Sequence, residues 1–216
     1  MNKGEQTRTA IIHAAMKEAA VSGVNALSIG GLASSTGMSK SGLFGHFGSK
    51  EALQMSVLEA VIDKFTDRVI VPALKTKDGV ARLETLFDLF LVWMAKMDAE
   101  SGCPVLALSL ELSGQPGPMR DFIAETQQEW MDMLARMAAK CVASGQFRAD
   151  LDIGQFAFEF EGIAFSYNFS RYLLHDSRSE EMARSAFDRL MADAKVNPEQ
   201  MGSCVTTRPR QIQSAT

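Results

Sequence analysis

Residues 27–53 read LSIGGLASSTGMSKSGLFGHFGSKEAL, and this stretch decides the fold. Ser28, Ser39 and Ser49 each precede a segment of helical pattern, where a serine hydroxyl can accept a hydrogen bond from a first-turn amide. Gly37 can end the first of these helices, because glycine takes the left-handed conformation without steric cost. The stretch therefore predicts two short helices joined by a tight turn and followed by a longer helix. In such a helix-turn-helix, the second helix enters the major groove of DNA.

The charge of the same stretch favours a nucleic-acid partner. The whole chain of 216 residues has a formal net charge of −4, yet residues 28–50 contain two lysines, one histidine and no acidic residue. An acid-free window of this length suits binding to phosphates. Taken without the motif, chance is the alternative explanation of this charge pattern.

The run from Ala33 to Glu51 resembles the DNA-binding signature of the TetR family of bacterial transcriptional regulators. The resemblance extends upstream through the first helix and covers about a quarter of the chain. It implies an N-terminal three-helix DNA-binding domain and a C-terminal helical domain for ligand binding and dimerisation. Two features depart from the family. Phe44 replaces a tyrosine whose hydroxyl contacts a phosphate, and Gly30-Gly31 lie inside a helix, where each costs about 1 kcal/mol relative to alanine.

We predict that the second helix of the motif and its flanks contact DNA. The side chains at the start of this helix can reach base edges or phosphates of the DNA. The other predicted residues contact the DNA backbone. The first helix, from about Thr7 to Ser22, is expected to offer its N-terminal amides with Thr7 and Arg8 to a phosphate. The predicted DNA-binding set is Thr7, Ser28, Ser39, Lys40, Ser41, Gly42, Phe44, His46 and Lys50. Each assignment has an alternative. Lys40 and Lys50 could be solvated surface lysines, His46 could be hydrogen-bonded between helices, and Phe44 could pack against the core.

The remainder of the chain also has helical periodicity, so the predicted fold class is all-α. We expect a DNA-binding domain over residues 5–65, a regulatory and dimerisation domain over 66–196, and a disordered tail over 197–216. The predicted helices after the motif are a linking helix from Ser49 to near Pro72, then 80–98, a short helix from Cys103-Pro104, 119–144, 152–175, and a last helix to Ala194 that opens with a capping box, Ser177-x-x-Glu180.

The predicted helix 152–175 is apolar on two opposite faces. Such a helix must be covered on both sides, once by its own core and once by a partner or a ligand. In the family, two C-terminal helices of each subunit form a two-fold four-helix bundle, so we expect a homodimer. The predicted interface residues are Phe156, Phe160, Ile163, Tyr167, Phe187 and Leu190.

The regulatory half is rich in methionine and aromatic side chains, which can line a cavity for an apolar or aromatic effector. Core packing is the alternative role at each position. The predicted ligand-binding set is Phe87, Phe90, Trp93, Met94, Met97, Cys103, Trp130, Met133, Met137, Phe165 and Tyr172. Cys103 stands at a helix start, where amide dipoles would lower the thiol pKa and allow it to sense oxidants or electrophiles. An inert buried thiol is the other possibility.

The sequence shows no catalytic arrangement of side chains, and its three histidines are too scattered for a metal site. We predict no enzyme activity, no cofactor and no metal. No stretch approaches the roughly 20 apolar residues of a membrane span, and the cysteines favour a reducing compartment, so we expect a cytoplasmic protein.

The predicted function is a dimeric regulator, most simply a repressor, that leaves a palindromic operator when an effector or thiol modification acts on it. An all-α small-molecule binding protein or enzyme, with a helix-turn-helix used only for packing, is the alternative.

Overall fold

The structure, a computed structural model, describes residues 2–95 and 102–196. Within these ranges the regular elements are helical, which confirms the predicted all-α class. In chain order they are α1 (Lys3–Ser22), α2 (Ile29–Thr36), α3 (Lys40–Phe47), α4 (Lys50–Phe65), a π-helical turn (Thr66–Ile70), α5 (Val71–Leu74), α6 (Val80–Ala95), α7 (Pro104–Leu112), α8 (Pro118–Ala143), α9 (Ile153–Asn168), a second π-helical turn (Phe169–Leu173) and α10 (Ser179–Ala194). Met97 and the predicted tail 197–216 lie outside the described residues.

The helix-turn-helix forms as its serines and glycine predict. The hydroxyl of Ser28 accepts a hydrogen bond from the amide of Gly31 at 3.0 Å, and Ser39 and Ser49 cap α3 and α4 with the same geometry. Gly37 ends α2 with a φ of 68°, a left-handed conformation that glycine takes most easily. These local interactions fix where the three helices begin and how α2 turns into α3.

The DNA-binding unit shares its core with the C-terminal half. α1 packs Ile11 and Ala15 against the buried sides of α2, α3 and α4. Leu108 and Leu112 of α7 and Ile123 of α8 belong to the same buried cluster. Because apolar side chains from both halves share one core, the orientation of the N-terminal unit depends on α7 and α8.

A second core lies between α6, α8, α9 and α10. The ring of Phe87 stacks on that of Phe187 with centroids 4.0 Å apart, and Phe160 meets both rings edge-on. Phe156 and Tyr167 are also buried in this cluster. The inner face of α9 is therefore covered by the subunit itself.

Two predicted helix starts are wrong, and the linking helix ends two residues beyond Pro72. α1 begins at Lys3, because Asn2 and Glu5 form a capping box. The linking helix continues to Leu74 through the π-helical turn; Pro72 sits in the first turn of α5, where a missing amide is tolerated. The capping box predicted at Ser177 does not form. α10 begins at Ser179, whose hydroxyl donates to the carbonyl of Asp176.

Candidate nucleic-acid interface and effector cavity

α3 presents a polar, exposed side away from the core. Leu43 and Phe47 are buried, whereas Lys40, Ser41 and Gly42 are exposed and Phe44 is 57% exposed. A helix anchored by two apolar residues and free on its other side can enter a groove of DNA. The predicted residues of this helix thus share one accessible surface.

The two glycines inside α2 have a local role. A Cβ at Gly30 would lie 3.4 Å from Cε of Lys40, so the lysine side chain extends across the bare backbone of α2. A Cβ at Gly31 would lie 3.1 Å from the hydroxyl of Ser28, the capping group of the same helix. These glycines lower the helix propensity of α2, but their lack of a side chain leaves space for Lys40 and for the capping hydroxyl of Ser28.

Other residues of the predicted DNA-binding set have contacts within the protein. Lys50 donates from Nζ to the carbonyl of Asn25 at 2.9 Å, and His46 is half-buried beside Phe47. The hydroxyls of Ser28 and Ser39 are occupied as helix caps. These residues order the interface, and their exposed atoms remain next to the surface of α3.

The expected phosphate site at the start of α1 needs correction. Because α1 begins at Lys3, Thr7 and Arg8 lie in its second turn. The hydroxyl of Thr7 donates to the carbonyl of Lys3 at 2.9 Å. Arg8 donates to the hydroxyl of Ser56 at 2.8 Å, and its guanidinium lies 5.2 Å from the ring centre of Phe47. Arg8 thus joins α1 to α3 and α4.

A cavity of about 500 Å³ lies between α4, the first π-helical turn, α6, α7, α8 and α9. This volume falls in the range of small-molecule sites. Four residues of the predicted ligand-binding set line it: Phe90, Cys103, Trp130 and Met133. The rings of Trp130 and Phe65 meet edge-on, with centroids 5.4 Å apart, and form an aromatic wall.

The structure places six other predicted ligand-binding residues outside the cavity. Phe87, Trp93, Met94 and Met137 are buried in the core between the helices, and the cavity lining does not include them. Phe165 and Tyr172 line an outer groove on α9 and α10. Periodicity identifies an apolar helix face, and only the packing of the helices decides which part of that face meets a void.

Glu161 is a cavity residue that sequence reasoning missed. The indole Nε1 of Trp130 donates to its Oε2 at 2.7 Å. Oε1 is buried without a hydrogen-bond partner in the part of the chain that the structure describes. Burial raises the pKa of this carboxyl above its ordinary value, while the hydrogen bond from Trp130 and the nearby polar side chain of Gln127, which makes no hydrogen bond to it, act in the opposite direction. The available signal was an acidic residue directly after Phe160 in a helix rich in apolar residues.

Cys103 departs from the reactive thiol that its helix-start position suggested. The residue is 1% exposed, and burial raises the pKa of its thiol. Its backbone amide donates to Oδ1 of Asn168 at 3.0 Å. Desolvation outweighs the helix dipole here, so the side chain contributes an apolar wall.

Glu111 forms a second connection that the sequence did not reveal. Its carboxylate accepts hydrogen bonds from the amides of Val24 and Asn25 at 3.1 and 2.9 Å. These amides lie in the loop between α1 and α2, and Gln115 accepts a further bond from the side chain of Asn25. The end of α7 thus holds the loop that leads into the helix-turn-helix.

The outer side of α9 forms an open apolar groove with α10. Phe158, Phe169 and Leu173 are 67%, 52% and 66% exposed, and the groove continues over Ile163 and Leu190.

This placement corrects the predicted interface. Phe156, Phe160 and Phe187 are covered by the subunit's own helices and are not available to a partner, whereas Tyr167 lies at the floor of the groove with Ile163 and Leu190.

The described residues contain no group of three His, Cys, Asp or Glu side chains placed to hold a metal ion. No helix in residues 2–95 and 102–196 is long and apolar enough to cross a membrane.

Residues 11–55 match the family described as bacterial regulatory proteins, tetR family. Residues 79–187 match the family described as tetracyclin repressor-like, C-terminal domain. The second match alone spans just over half of the chain, and the two together include the helix-turn-helix and the part of the cavity formed by α6 to α9. No curated protein is significantly similar in sequence.

Solved structures share the fold. A TetR transcriptional regulator from Chloroflexus aurantiacus J-10-FL has a TM-score of 0.78 and 22% identity, covering 89% of this chain and 96% of that chain. A TetR-family regulator from Cytophaga hutchinsonii has a TM-score of 0.78 and 19% identity, covering 91% and 98%. AibR, solved with isovaleryl coenzyme A and operator DNA, has a TM-score of 0.69 and 21% identity, covering 87% and 98%.

Proposed function

The chain belongs to the TetR family of bacterial regulatory proteins, and from this premise we propose that it is a repressor controlled by a small-molecule effector. It binds a palindromic operator as a dimer through α3, with residues 5–65 as the DNA-binding domain and 66–196 as the regulatory domain. The effector binds in the cavity and releases the protein from DNA. Action on bacterial DNA places the protein in the cytoplasm.

The observation that carries this proposal is that the cavity wall includes the helix that supports the recognition helix. α4 begins at Lys50, shortly after α3, and contributes Ile62 and Phe65 to the cavity. The following π-helical turn contributes Thr66 and Ile70. A π-helical turn inside a longer helix is a frequent feature of functional sites. A ligand that displaces this wall changes the direction of α4.

α7 provides a second path from the cavity to the DNA-binding unit. Its N-terminal end, with Cys103, Val105 and Leu106, lines the cavity. Its C-terminal end holds the loop before α2 through Glu111. Both supports of the helix-turn-helix therefore respond to what the cavity contains.

The response follows from geometry. A dimer must hold two recognition helices about 34–36 Å apart to bind both halves of a palindrome. An effector that binds more tightly to a conformation with a different spacing shifts the population away from the DNA-binding state. Neither Cys103 nor Cys141, the thiols within the described residues, suits this role, because both are buried and burial raises the pKa of each.

The proposed dimer contact is the outer groove of α9 and α10, occupied by the same groove of a second copy. Family members dimerise through their C-terminal helices, and the exposed rings of Phe158 and Phe169 need a cover. A two-fold axis along this face places two identical surfaces against each other.

Fluorescence anisotropy with DNA from upstream of the protein's own gene tests the proposal. The comparison is between the wild type, a Lys40→Ala, His46→Ala double variant, and a Lys64→Ala, His13→Ala double variant that removes the same residue types elsewhere. We expect the first variant to bind at least about tenfold more weakly and to show a shallower salt dependence, because phosphate contacts release counterions.

The second double variant should bind like the wild type, since Lys64 and His13 are exposed on other surfaces. Equal binding by both variants, together with no preference for any genomic fragment over random DNA, would exclude α3 as the recognition helix.

A further inference from the structure

The effector cavity contains a buried carboxyl group that the protein only partly satisfies. Glu161 accepts a hydrogen bond from Trp130 on Oε2 at 2.7 Å, while Oε1 has no partner among the described residues and is shielded from water. A buried polar atom without a partner is expensive, and a buried charge without a counter-ion is more so. Because Glu161 lines the cavity, its incompletely paired carboxyl group marks a position for a ligand group.

The charges around the cavity favour a cation. Among the described residues, three carboxylates line it, those of Glu129, Asp132 and Glu161, against the one guanidinium of Arg136. Glu129, Asp132 and Arg136 are exposed at the mouth of the cavity, whereas Glu161 lies inside. A negative entrance and a negative interior attract positive ligands and disfavour anions.

The aromatic wall adds to the same preference. Trp130 and Phe65 lie edge-to-face at 5.4 Å, and Phe90 is also in the lining. An ammonium group close to an aromatic face gains a favourable electrostatic interaction when it is desolvated. The rest of the lining includes Ile62, Val105 and Leu106, which suit an apolar body.

We propose that the effector is an organic ammonium ion with an aryl or alkyl body, whose charged N–H group donates to the carboxylate of Glu161 after a rotation of that side chain turns Oε1 toward the cavity. This inference rests on the proposed role of the cavity as the effector site. The hydrogen bond satisfies the remaining carboxylate oxygen, and the positive charge offsets the cost of the buried negative one. The apolar body fills the space between α4 and α8.

Isothermal titration calorimetry on the full chain, with three probes of matched shape, tests the charge preference. The probes are 4-phenylbutylamine, 4-phenylbutan-1-ol and 4-phenylbutyrate, which at neutral pH are a cation, a neutral molecule and an anion. We expect the amine to bind at least about tenfold more tightly than the alcohol, because a charge-assisted hydrogen bond in a buried site has this magnitude. The acid should bind most weakly.

Two variants locate the effect. Glu161→Gln keeps the shape and an acceptor for Trp130 but removes the charge, so the amine should lose its advantage over the alcohol. Glu125→Gln is the matched control, since Glu125 is exposed on α8 and belongs neither to the lining of the cavity nor to that of the outer groove. It should keep the full preference for the amine.

The inference is overturned if wild type binds the alcohol or the acid as tightly as the amine, if none of the probes binds, or if Glu161→Gln retains the preference. Operator binding in the absence of probes separates this result from the proposed function. A protein that binds its operator, and is released equally by the alcohol and the amine, is a ligand-controlled repressor whose effector is not a cation. A protein that shows no preference for an operator contradicts the proposed function itself.

Discussion

At the scale of single residues, Glu161 lowers the stability of the fold and provides a polar group for a ligand. An apolar side chain next to Phe160 would pack against Trp130 without a desolvation cost, whereas the carboxyl group keeps one oxygen buried and unpaired in the described structure. Burial raises its pKa, which means that the folded protein resists its ionisation. Such a group is expected where function requires it.

The raised pKa of Glu161 predicts how Glu161→Gln changes thermal stability with pH. Because the folded-state pKa is above the ordinary value of 4.5, the favourable contribution of the neutral carboxyl is complete below that value and is lost as the pH rises through the folded-state pKa. The uncharged glutamine avoids this loss. We therefore expect Tm of the variant to exceed that of the wild type by more at about pH 8 than at about pH 5.

Thermal melts of the effector-free protein at both pH values measure this difference. Glu125→Gln, which changes an exposed acid on α8, serves as the control, and its Tm difference from the wild type should change little with pH. A Glu161→Gln variant that is less stable than the wild type at the higher pH would show that the carboxylate has a favourable partner.

At the scale of elements, α4 and α7 each connect the cavity to the DNA-binding unit in a different way. α4 is a continuous helical path that includes the π-helical turn Thr66–Ile70 at the cavity. α7 ends in hydrogen bonds from Glu111 to two backbone amides. The first connection transmits a change of direction, and the second fixes the loop before α2.

Replacing Glu111 by alanine tests the second connection. The amides of Val24 and Asn25 would lose a charged acceptor in a half-buried position, so the free energy of unfolding should fall by about 1–3 kcal/mol. Urea denaturation measures the loss. The recognition surface of α3 is unchanged, so operator binding should persist at low temperature while its release by effector becomes weaker.

Glu125→Ala, which removes an exposed acid from α8, is the matched control and should behave like the wild type. If Glu111→Ala leaves both the stability and the effector response unchanged, α7 does not connect the cavity to the DNA-binding unit.

At the scale of the whole molecule, α9 separates two environments. Its inner face completes the core with Phe156 and Phe160, and its outer face exposes Phe158 and Phe169. Exposed aromatic side chains that line one continuous groove indicate an interaction surface. A second copy of the chain would convert this groove into the centre of a four-helix contact.

Phe158→Asp tests this contact without disturbing the subunit. The side chain is 67% exposed, so the fold should tolerate the change, whereas an aspartate at a dimer contact would bury an unpaired charge. We expect sedimentation velocity to show a shift from dimer to monomer and operator affinity to fall, because the two half-sites would then be bound independently.

Val21→Asp provides the comparison, since Val21 is 78% exposed on α1, away from the groove. It should sediment like the wild type. If Phe158→Asp remains a dimer with wild-type operator affinity, the subunits associate through another surface.

Local sequence signals were sufficient to place α2, α3 and the start of α4. Ser28, Ser39, Ser49 and Gly37 fix helix ends through hydrogen bonds and backbone conformations that involve neighbours in the chain, so their roles could be predicted. The predicted start of α1 near Thr7 was too late. The true start is set by the capping box between Asn2 and Glu5, which was not recognised in the sequence.

The sequence by itself determined the all-α fold, the family and the position of the recognition helix, because these depend on periodicity and on interactions within a few residues of the chain. Only the tertiary structure decided which apolar residues surround a void, that Glu161 lies buried against Trp130, and which face of α9 is left uncovered. The physical reason is that burial, cavity shape and pKa depend on side chains from distant segments, and helical periodicity is the same for a core, a pocket and an interface.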